Sequence, residues 1–428
     1  MLNIETINQK QFSKISQQRT SRDSETYEEV DKDVQKIIAS IRNKGDAAVF
    51  DYIERLDGVK LDELFVTDEE IDQAFKQVDD EMITILKEAR SNIETYHKNQ
   101  LEKSWYVNDQ EGIWLGQQVT PIERVGVYVP GGKAAYPSTV LMNVVPAKVA
   151  GVESITVTTP VQPDGKVNPN TLVAVSIAGA DRILKIGGAH GIATLAYGTE
   201  SVDKVYKIVG PGNAYVARAK KFVFGDVAID MIAGPSEVCI IADHQAEPRL
   251  IAADLLAQAE HDELASSILV TTSKQIATEV QQEVENQIKS LSRQDILAVS
   301  IAEQGRIYVV DQLNHAFEFV NELAPEHLEI LVENPFEQLP KIKNAGAIFL
   351  GSYSPEPLGD YFAGPNHTLP TNGTAKFSSP LGVYDFQKKS SVIYYDQQSL
   401  EKANQKIQKF AQAERLDAHA ASIRKRFE

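Results

Sequence analysis

The chain has 428 residues, 43% hydrophobic and 24% charged. That is the composition of a globular protein, and it is more chain than one ordinary core holds, so two or three domains are expected. A formal net charge of −17 removes the basic face that a nucleic-acid or anionic-membrane partner needs. The single cysteine, Cys239, excludes an internal disulfide and a multi-cysteine zinc site, and its setting "EVCIIAD" marks a small buried hydrophobe.

The N-terminal "MLNIETINQKQFS" has no basic segment leading into an apolar core. No apolar run reaches the ~20 residues of a bilayer span. Neither signal peptide nor membrane anchor is expected, and the cytoplasm is the default compartment. Roughly the first 100 residues read as polar and helical. Thr67 and Glu70 of "VTDEEIDQAF" have the spacing of a capping box, ahead of an apolar periodicity running through Leu86 toward Ile93. The acidic "DSETYEEVDKD" reads as a solvated helix face.

From 122 the texture changes. "IERVGVYVP", "ESITVTTP", "RILKIGG" and "KVYKIVG" are buried-strand runs. Helical segments alternate with them: "STVLMNVVPAKVAGV", "TLVAVSIAGA", "HGIATLAYG" and "NAYVARAKKFVFG". This predicts right-handed βαβ units on a parallel sheet. The turn-rich "PVQPDGKVNPN" is a surface loop inside that sheet. A second alternation starts at "EVCIIAD" and ends at "AIFLG", with strands "SSILVTT", "RIYVV" and "LEILVE" between helices. The seam between the two sheets is "AIDMIAGPSE", 228–237. Residues 352–383 break the alternation with a loop dense in Gly, Pro, Ser and Asn, of a length that is usually functional or disordered. Tyr361, Phe362 and Phe377 within it favour order. A helical tail follows over roughly 398–428. The fold class expected is therefore α/β, with two tandem parallel-sheet, Rossmann-like domains, an N-terminal helical segment and a C-terminal helical tail.

Several stretches carry chemistry. Glycine turns "PGGK" (130–133), "GGAH" (187–190) and "GPGN" (210–213) fall at the carboxyl ends of strands in the first sheet, where parallel sheets bind nucleotides. None is the G-x-G-x-x-G fingerprint, and a single such turn is ordinary strand-to-helix chemistry. In "LLAQAEHDELASS", Gln258 and His261 share a helical face, a spacing that by itself more often makes a helix cap than a metal site. Glu326 and His327 in "APEHLEI" are adjacent, and on a turn they form a carboxylate–imidazole pair for moving protons; the plain alternative is an exposed polar pair after a proline. In the tail, Ile407, Phe410 and Ala411 mark an apolar stripe whose next position is Glu414, and His419 falls on a stripe of Leu416, Ala420 and Ile423. An acid and an imidazole on faces meant for burial need partners. Asp360 and His367 lie in the long loop. Gln258, His261, Asp360 and His419 together offer an N/O donor set suited to Zn²⁺ or a similar ion, with positions left open.

Five motifs, "IDMIAGPSEV", "LLAQAEHD", "ELAPEHLEI", "GDYFAGPNHTLPT" and "ERLDAHAAS", in this order over nearly the whole chain, closely resemble histidinol dehydrogenase. The resemblance implies the four-electron oxidation of L-histidinol to L-histidine through histidinaldehyde, with reduction of two NAD⁺, the last step of histidine biosynthesis. It implies one Zn²⁺ per subunit on Gln258, His261, Asp360 and His419, and Glu326 and His327 as the acid–base pair. It further implies substrate contacts from Ser236, His367 and Glu414 besides the metal ligands and His327, and NAD contacts from Tyr128, His190 and Asn213. At 190 the family commonly has glutamine; the histidine here still donates or accepts one hydrogen bond. The implied assembly is a homodimer with composite sites.

The division expected is an arm over 1–20, a larger α/β domain from 21–127 and 237–380 with the zinc and acid–base residues, and an NAD-binding α/β domain over 128–236. A helical tail over 381–428 would pack on the partner. Two rival functions use the same residues: a zinc hydrolase with Glu326-activated water, and a non-catalytic ligand-binding homologue.

Overall fold

The computed structural model describes residues 2–20, 27–131 and 135–428. The apolar runs after 122 form two parallel sheets, as their alternation with helices requires. One has five strands, in the spatial order Arg182–Leu184, Ser154–Thr158, Arg124–Tyr128, Lys207–Val209, Ala228–Ile229. Helices Pro137–Ala150, Pro169–Ala178, Gly188–Tyr197 and Ala214–Val223 cross between them. Consecutive residues 125–128 are all buried, so both faces of the central strand are covered.

The other sheet has six parallel strands, in the order Asn3–Thr6, Arg306–Val309, Ser266–Thr271, Glu237–Ala242, His327–Leu331, Ala347–Leu350. Strand periodicity divides its core. Val238, Ile240 and Ala242 pack with Ile251 and Leu255 on one face, while Cys239 and Ile241 pack with Phe319 and Val320 on the other. Cys239 is buried and unpaired, as its context indicates. Among the described residues no helix is long and apolar enough to cross a membrane.

The structure departs from the sequence reading in five places. Residues Asn3–Thr6 of the expected arm form an edge strand paired with Arg306–Val309, a segment too short and too exposed to show strand periodicity. The apolar periodicity toward Ile93 is two helices. Asp68–Gln77 carries the expected box, with Thr67 N donating to Glu70 Oε2 at 2.8 Å and Glu70 N to Thr67 Oγ1 at 3.3 Å. Asp79 then caps Asp80–Lys98, after an extended Val78 that breaks the ladder.

A third sheet, antiparallel, joins Trp105–Val107, Ile113–Pro121 and Gln387–Tyr395. The 381–428 tail is thus not wholly helical: a nine-residue strand precedes helices Gln397–Ala413 and Asp417–Arg424. "QKKSSVIYY" is exposed or half-buried throughout, so burial imposes no clean alternation on it.

The helices between 28 and 98 cover the five-stranded sheet. Val34, Ile38 and Ile41 pack with Leu184 and Ile192, and Ala74, Leu86 and Ile93 pack with Val125 and Val127. The grouping of 21–127 with 237–380 is not how these cores divide, since Arg124–Tyr128 is the central strand of the five-stranded sheet. Finally, the long loop has a defined path, but Tyr361 and Phe377 are exposed; buried Asn366, Thr368, Leu369 and Thr371 anchor it. Asn366 Nδ2 donates to Met142 O at 2.6 Å, tying the loop to a helix of the other sheet. Of the acidic cluster, residues 23–26 lie outside the described residues, Glu28 and Glu29 are exposed, and Asp31 pairs with Arg218.

At the end of Lys207–Val209, Gly210 has φ +109°, and an added Cβ would collide with the Tyr128 carbonyl oxygen. Buried Lys220 donates to Gly210 O at 2.9 Å and Asp230, whose side chain is enclosed, accepts from Gly210 N at 2.8 Å, so the turn cannot easily relax. Gly210→Ala should therefore lower unfolding free energy by about 1–3 kcal/mol. An unchanged urea midpoint would show that this backbone yields without cost.

Candidate active site

One end of the six-stranded sheet gathers the chemistry. Helix Pro248–Ala259 buries Ile251, Leu255 and Leu256 against the sheet, which carries Gln258 to full burial and leaves His261 exposed one turn on. With the Gln258 amide nitrogen donating to Glu356 Oε1 and Glu237 O, both at 3.3 Å, its oxygen lies 3.1 Å from His261 Nδ1. Gln258 and His261 are therefore neighbours, as their spacing suggested.

Helix Leu313–Leu323 ends on Ala324 in the left-handed region, φ 51°, and the chain turns through Pro325 into strand His327–Leu331. A non-glycine residue held there marks a turn set by its surroundings. Glu326 and His327 are both buried, and the same neighbouring residue anchors them: Glu237 N donates to Glu326 Oε2 at 2.8 Å, and His327 Nδ1 donates to Glu237 O at 3.0 Å. With Nδ1 engaged, the tautomer leaves Nε2 as the free position, buried and without a hydrogen-bond partner. His327 Nε2 lies 3.7 Å from Asp360 Oδ1, and Nδ1 lies 3.7 Å from Glu326 Oε2. The plain reading of this pair as exposed is overturned.

Asp360 comes from the short helix Glu356–Tyr361 inside the long loop. His367 Nδ1 is 3.1 Å from the Asp360 carbonyl oxygen and 3.9 Å from its Oδ1. Ser236 immediately precedes Glu237, and its carbonyl accepts from Ser266 N at 2.9 Å, which ties it to the adjacent strand. Gln258, His261, Glu326, His327, Asp360 and His367 are thus brought together. Glu414 and His419 are exposed on the tail and enter none of these hydrogen bonds or ion pairs within the chain.

Four carboxylates here were missed from sequence. Glu356 is buried in the pocket, four residues before Asp360 on the same helix turn, a spacing that could have revealed it. Glu329 is an acid in the middle of the apolar strand "HLEIL" and accepts from Glu356 N at 2.8 Å, while Asp254 lies close enough for its carboxyl and that of Glu329 to perturb each other. Glu237 is the fourth. Burial pushes Glu326 up to about 8, Glu237 and Glu356 to about 7, and Asp254 to about 6. Burial works to lower His327, but the carboxylates of Glu356, Glu326 and Asp360 outweigh it and hold the imidazole well above its ordinary value. For Asp360 burial works upward, yet His327, His367 and His261 leave it below the usual carboxylate range.

Among the described residues no lysine or arginine forms an ion pair with Glu326, Glu356 or Asp360. One ligand atom each from His261, Glu356 and Asp360 lies within 4.8 Å of the others. Carboxylates without a lysine or arginine partner, with an imidazole and an amide oxygen beside them, are a donor set that fits a divalent cation, which would draw the carboxyls back toward their ionised forms.

Of the three residues expected to touch a dinucleotide, Tyr128 lies at the carboxyl end of its strand against the glycine turns at Gly188 and Gly212, which precede His190 and Asn213. The buried Tyr128 hydroxyl accepts from Gly188 N at 3.1 Å, and an added Cβ on Gly212 would lie 3.0 Å from its ring. Asn213 caps helix Ala214–Val223, accepting from Val216 N at 3.2 Å. His190, in the first turn of Gly188–Tyr197, is buried and stacked on Tyr52, with Nε2 3.5 Å from Asp57 Oδ2. Of "PGGK", Gly132 and Lys133 lie outside the described residues.

Comparison with known proteins agrees with this geometry. The family model described as histidinol dehydrogenase matches residues 20–427. The chain is 54% identical over 414 residues to the histidinol dehydrogenase of Clostridium acetobutylicum, covering 97% of this chain and 96% of that one. It is 53% identical to that of Bacillus subtilis, covering 93% of each. The crystal structure of histidinol dehydrogenase from Elizabethkingia anophelis superposes with a TM-score of 0.94 at 37% identity, over 100% of this chain and 98% of that one. Shared sequence over nearly the full length and a shared fold place the chain in one family: it belongs to the histidinol dehydrogenases.

Proposed function

We propose that this enzyme oxidises L-histidinol to L-histidine through histidinaldehyde, reducing two NAD⁺, in the cytoplasm. Its zinc would be held by Gln258, His261 and Asp360 together with the partner subunit's His419. The observation that carries the reading is His327: its Nδ1 is tied to Glu237 O, and its buried Nε2 has no hydrogen-bond partner and lies 3.7 Å from Asp360 Oδ1. When bound, zinc supplies a fixed positive charge that orients an imidazole and amine and stabilises negative charge on oxygen. NAD⁺ supplies the acceptor for the two electrons of each oxidation.

The chain's own groups handle the protons. In its neutral form, His327 Nε2 takes the proton of the alcohol hydroxyl as the first oxidation proceeds. Water then adds to the aldehyde carbon, and the Glu326 carboxylate takes its proton. Ser236 and His367 line the pocket from opposite elements and position the substrate, with Glu414 of the partner subunit. Burial of Glu326 and His327 keeps bulk water from the aldehyde between steps. A zinc hydrolase would leave the turns meeting at Tyr128 without a role. The test is absorbance at 340 nm, the usual NADH band, after mixing enzyme, histidinol and NAD⁺. About two NADH per histidinol are expected, and none from zinc-loaded enzyme would sink the proposal.

The separate roles predict a selective defect. Glu326→Gln should slow oxidation of the aldehyde about 10²–10⁴-fold and that of the alcohol much less, because only the second step needs activated water. Feeding each substrate in single turnover measures both; equal slowing would remove the distinction.

A further inference from the structure

The amide of Gln258 has two N–H groups and one oxygen, and both N–H groups have fixed acceptors: Glu356 Oε1 and the Glu237 carbonyl, each at 3.3 Å. Only the oxygen is left to face the pocket, where it accepts from His261 Nδ1 at 3.1 Å. An amide free to rotate would present its NH₂ group half the time, and nitrogen with two hydrogens is no metal ligand. We infer that Glu356 is a positioning residue, whose carboxylate locks the Gln258 amide with its oxygen toward the metal position. This rests on the zinc reading proposed above.

Glu356 is built for that task. It is buried, and its backbone N–H donates to Glu329 Oε1 at 2.8 Å, while the Asp254 carboxyl lies beside Glu329. Asp254 lies four residues before Gln258 on helix Pro248–Ala259, and Glu356 lies four before Asp360 on helix Glu356–Tyr361. Residues four apart share a helix face. Each helix therefore brings one metal-facing residue and one supporting carboxylate, and the supports meet at Glu329. Glu356 serves the ligand of the other helix, so the lock fixes the two helix faces against each other as well as the amide. A partner behind a metal ligand is typically worth 10–100-fold in metal affinity.

The experiment uses the full-length enzyme, stripped of metal and titrated with Zn²⁺ against a chromophoric chelator; bound Co²⁺ then reports ligand geometry through its visible spectrum. Glu356→Met, close in volume but without an acceptor, should weaken Zn²⁺ about 10–100-fold and change the Co²⁺ spectrum. Glu356→Gln, whose carbonyl still accepts from Gln258, should restore most of the loss. In a Gln258→Ala background, Glu356→Met should have less than about a twofold further effect, because the two act through one contact. Circular dichroism checks folding, and Glu356→Ala replaces the Met variant in the same cycle if that one unfolds. Losses that multiply in the double variant, or a Gln variant as weak as Met, would show that Glu356 acts by its charge or as a ligand and would overturn the inference. Wild-type enzyme that binds no Zn²⁺ would overturn the zinc reading and this inference with it. Wild-type binding matched by an unaltered Glu356→Met would overturn the inference alone.

Discussion

His327→Asn should lower kcat about 10²–10⁴-fold while the Kd for histidinol changes by no more than a few-fold. The side chain's Nδ1 is already committed to Glu237 O at 3.0 Å, and what the substitution removes is Nε2, the buried atom with no partner in the free enzyme. Asparagine is too short to place a base there, yet it can still fill the space next to Phe349, whose ring centroid lies 6.0 Å from that of His327. In the proposed zinc site, substrate anchoring would rest on Gln258, His261 and Asp360, which the change leaves intact. Isothermal titration of histidinol and steady-state kinetics, with zinc content checked by atomic absorption, separate the two quantities. Equal losses in binding and turnover would make His327 chiefly a ligand.

A mixture of two inactive variants should regain activity. His419 and Glu414 are exposed on a tail that leaves large apolar side chains open: Phe410 is 71% exposed, and Ile393 on the preceding strand is 72% exposed. Glu414 caps the end of helix Gln397–Ala413 and His419 lies in helix Asp417–Arg424; Ala411 and Ala420 of the two stripes are buried, so one chain covers only part of them. We propose that a second copy covers the remainder, so that each site of a two-fold dimer takes His419 and Glu414 from its neighbour. His327→Asn and His419→Asn are then each dead alone. After subunit exchange about half the dimers are hybrids, each with one site carrying both defects and one intact, so activity should recover to about a quarter of wild type. With exchange confirmed by differently tagged subunits, a mixture that stays inactive would place both histidines of a site on one chain.

The pattern of apolar runs was enough to foresee the two parallel sheets, because a strand covered on both faces must be continuously apolar and its crossover must be helical. The same economy made Cys239 legible, and the Thr67–Glu70 box, which is a contact over three residues. Glu326, His327, Gln258 and His261 were visible as types in plausible local spacings, and the motif order supplied their roles. What stayed hidden depends on partners distant in sequence. Asn3–Thr6 is a strand only because Arg306–Val309 offers it an edge, and Gln387–Tyr395 only because Ile113–Pro121 lies opposite.

The site divides in the same way. Local sequence determined which groups were present and which pairs shared a helical face. Tertiary structure decided that Glu237, Glu329 and Glu356 join them, that Glu237 binds both Glu326 and His327, and that His327 keeps Nε2 free. It also decided that helices 28–98 cover the five-stranded sheet. The reason is range: hydrophobic periodicity and capping act over a few residues and are written in consecutive positions. Burial of a carboxylate, the tautomer of an imidazole and the facing of an amide are set by atoms that only the closed chain brings within hydrogen-bonding distance.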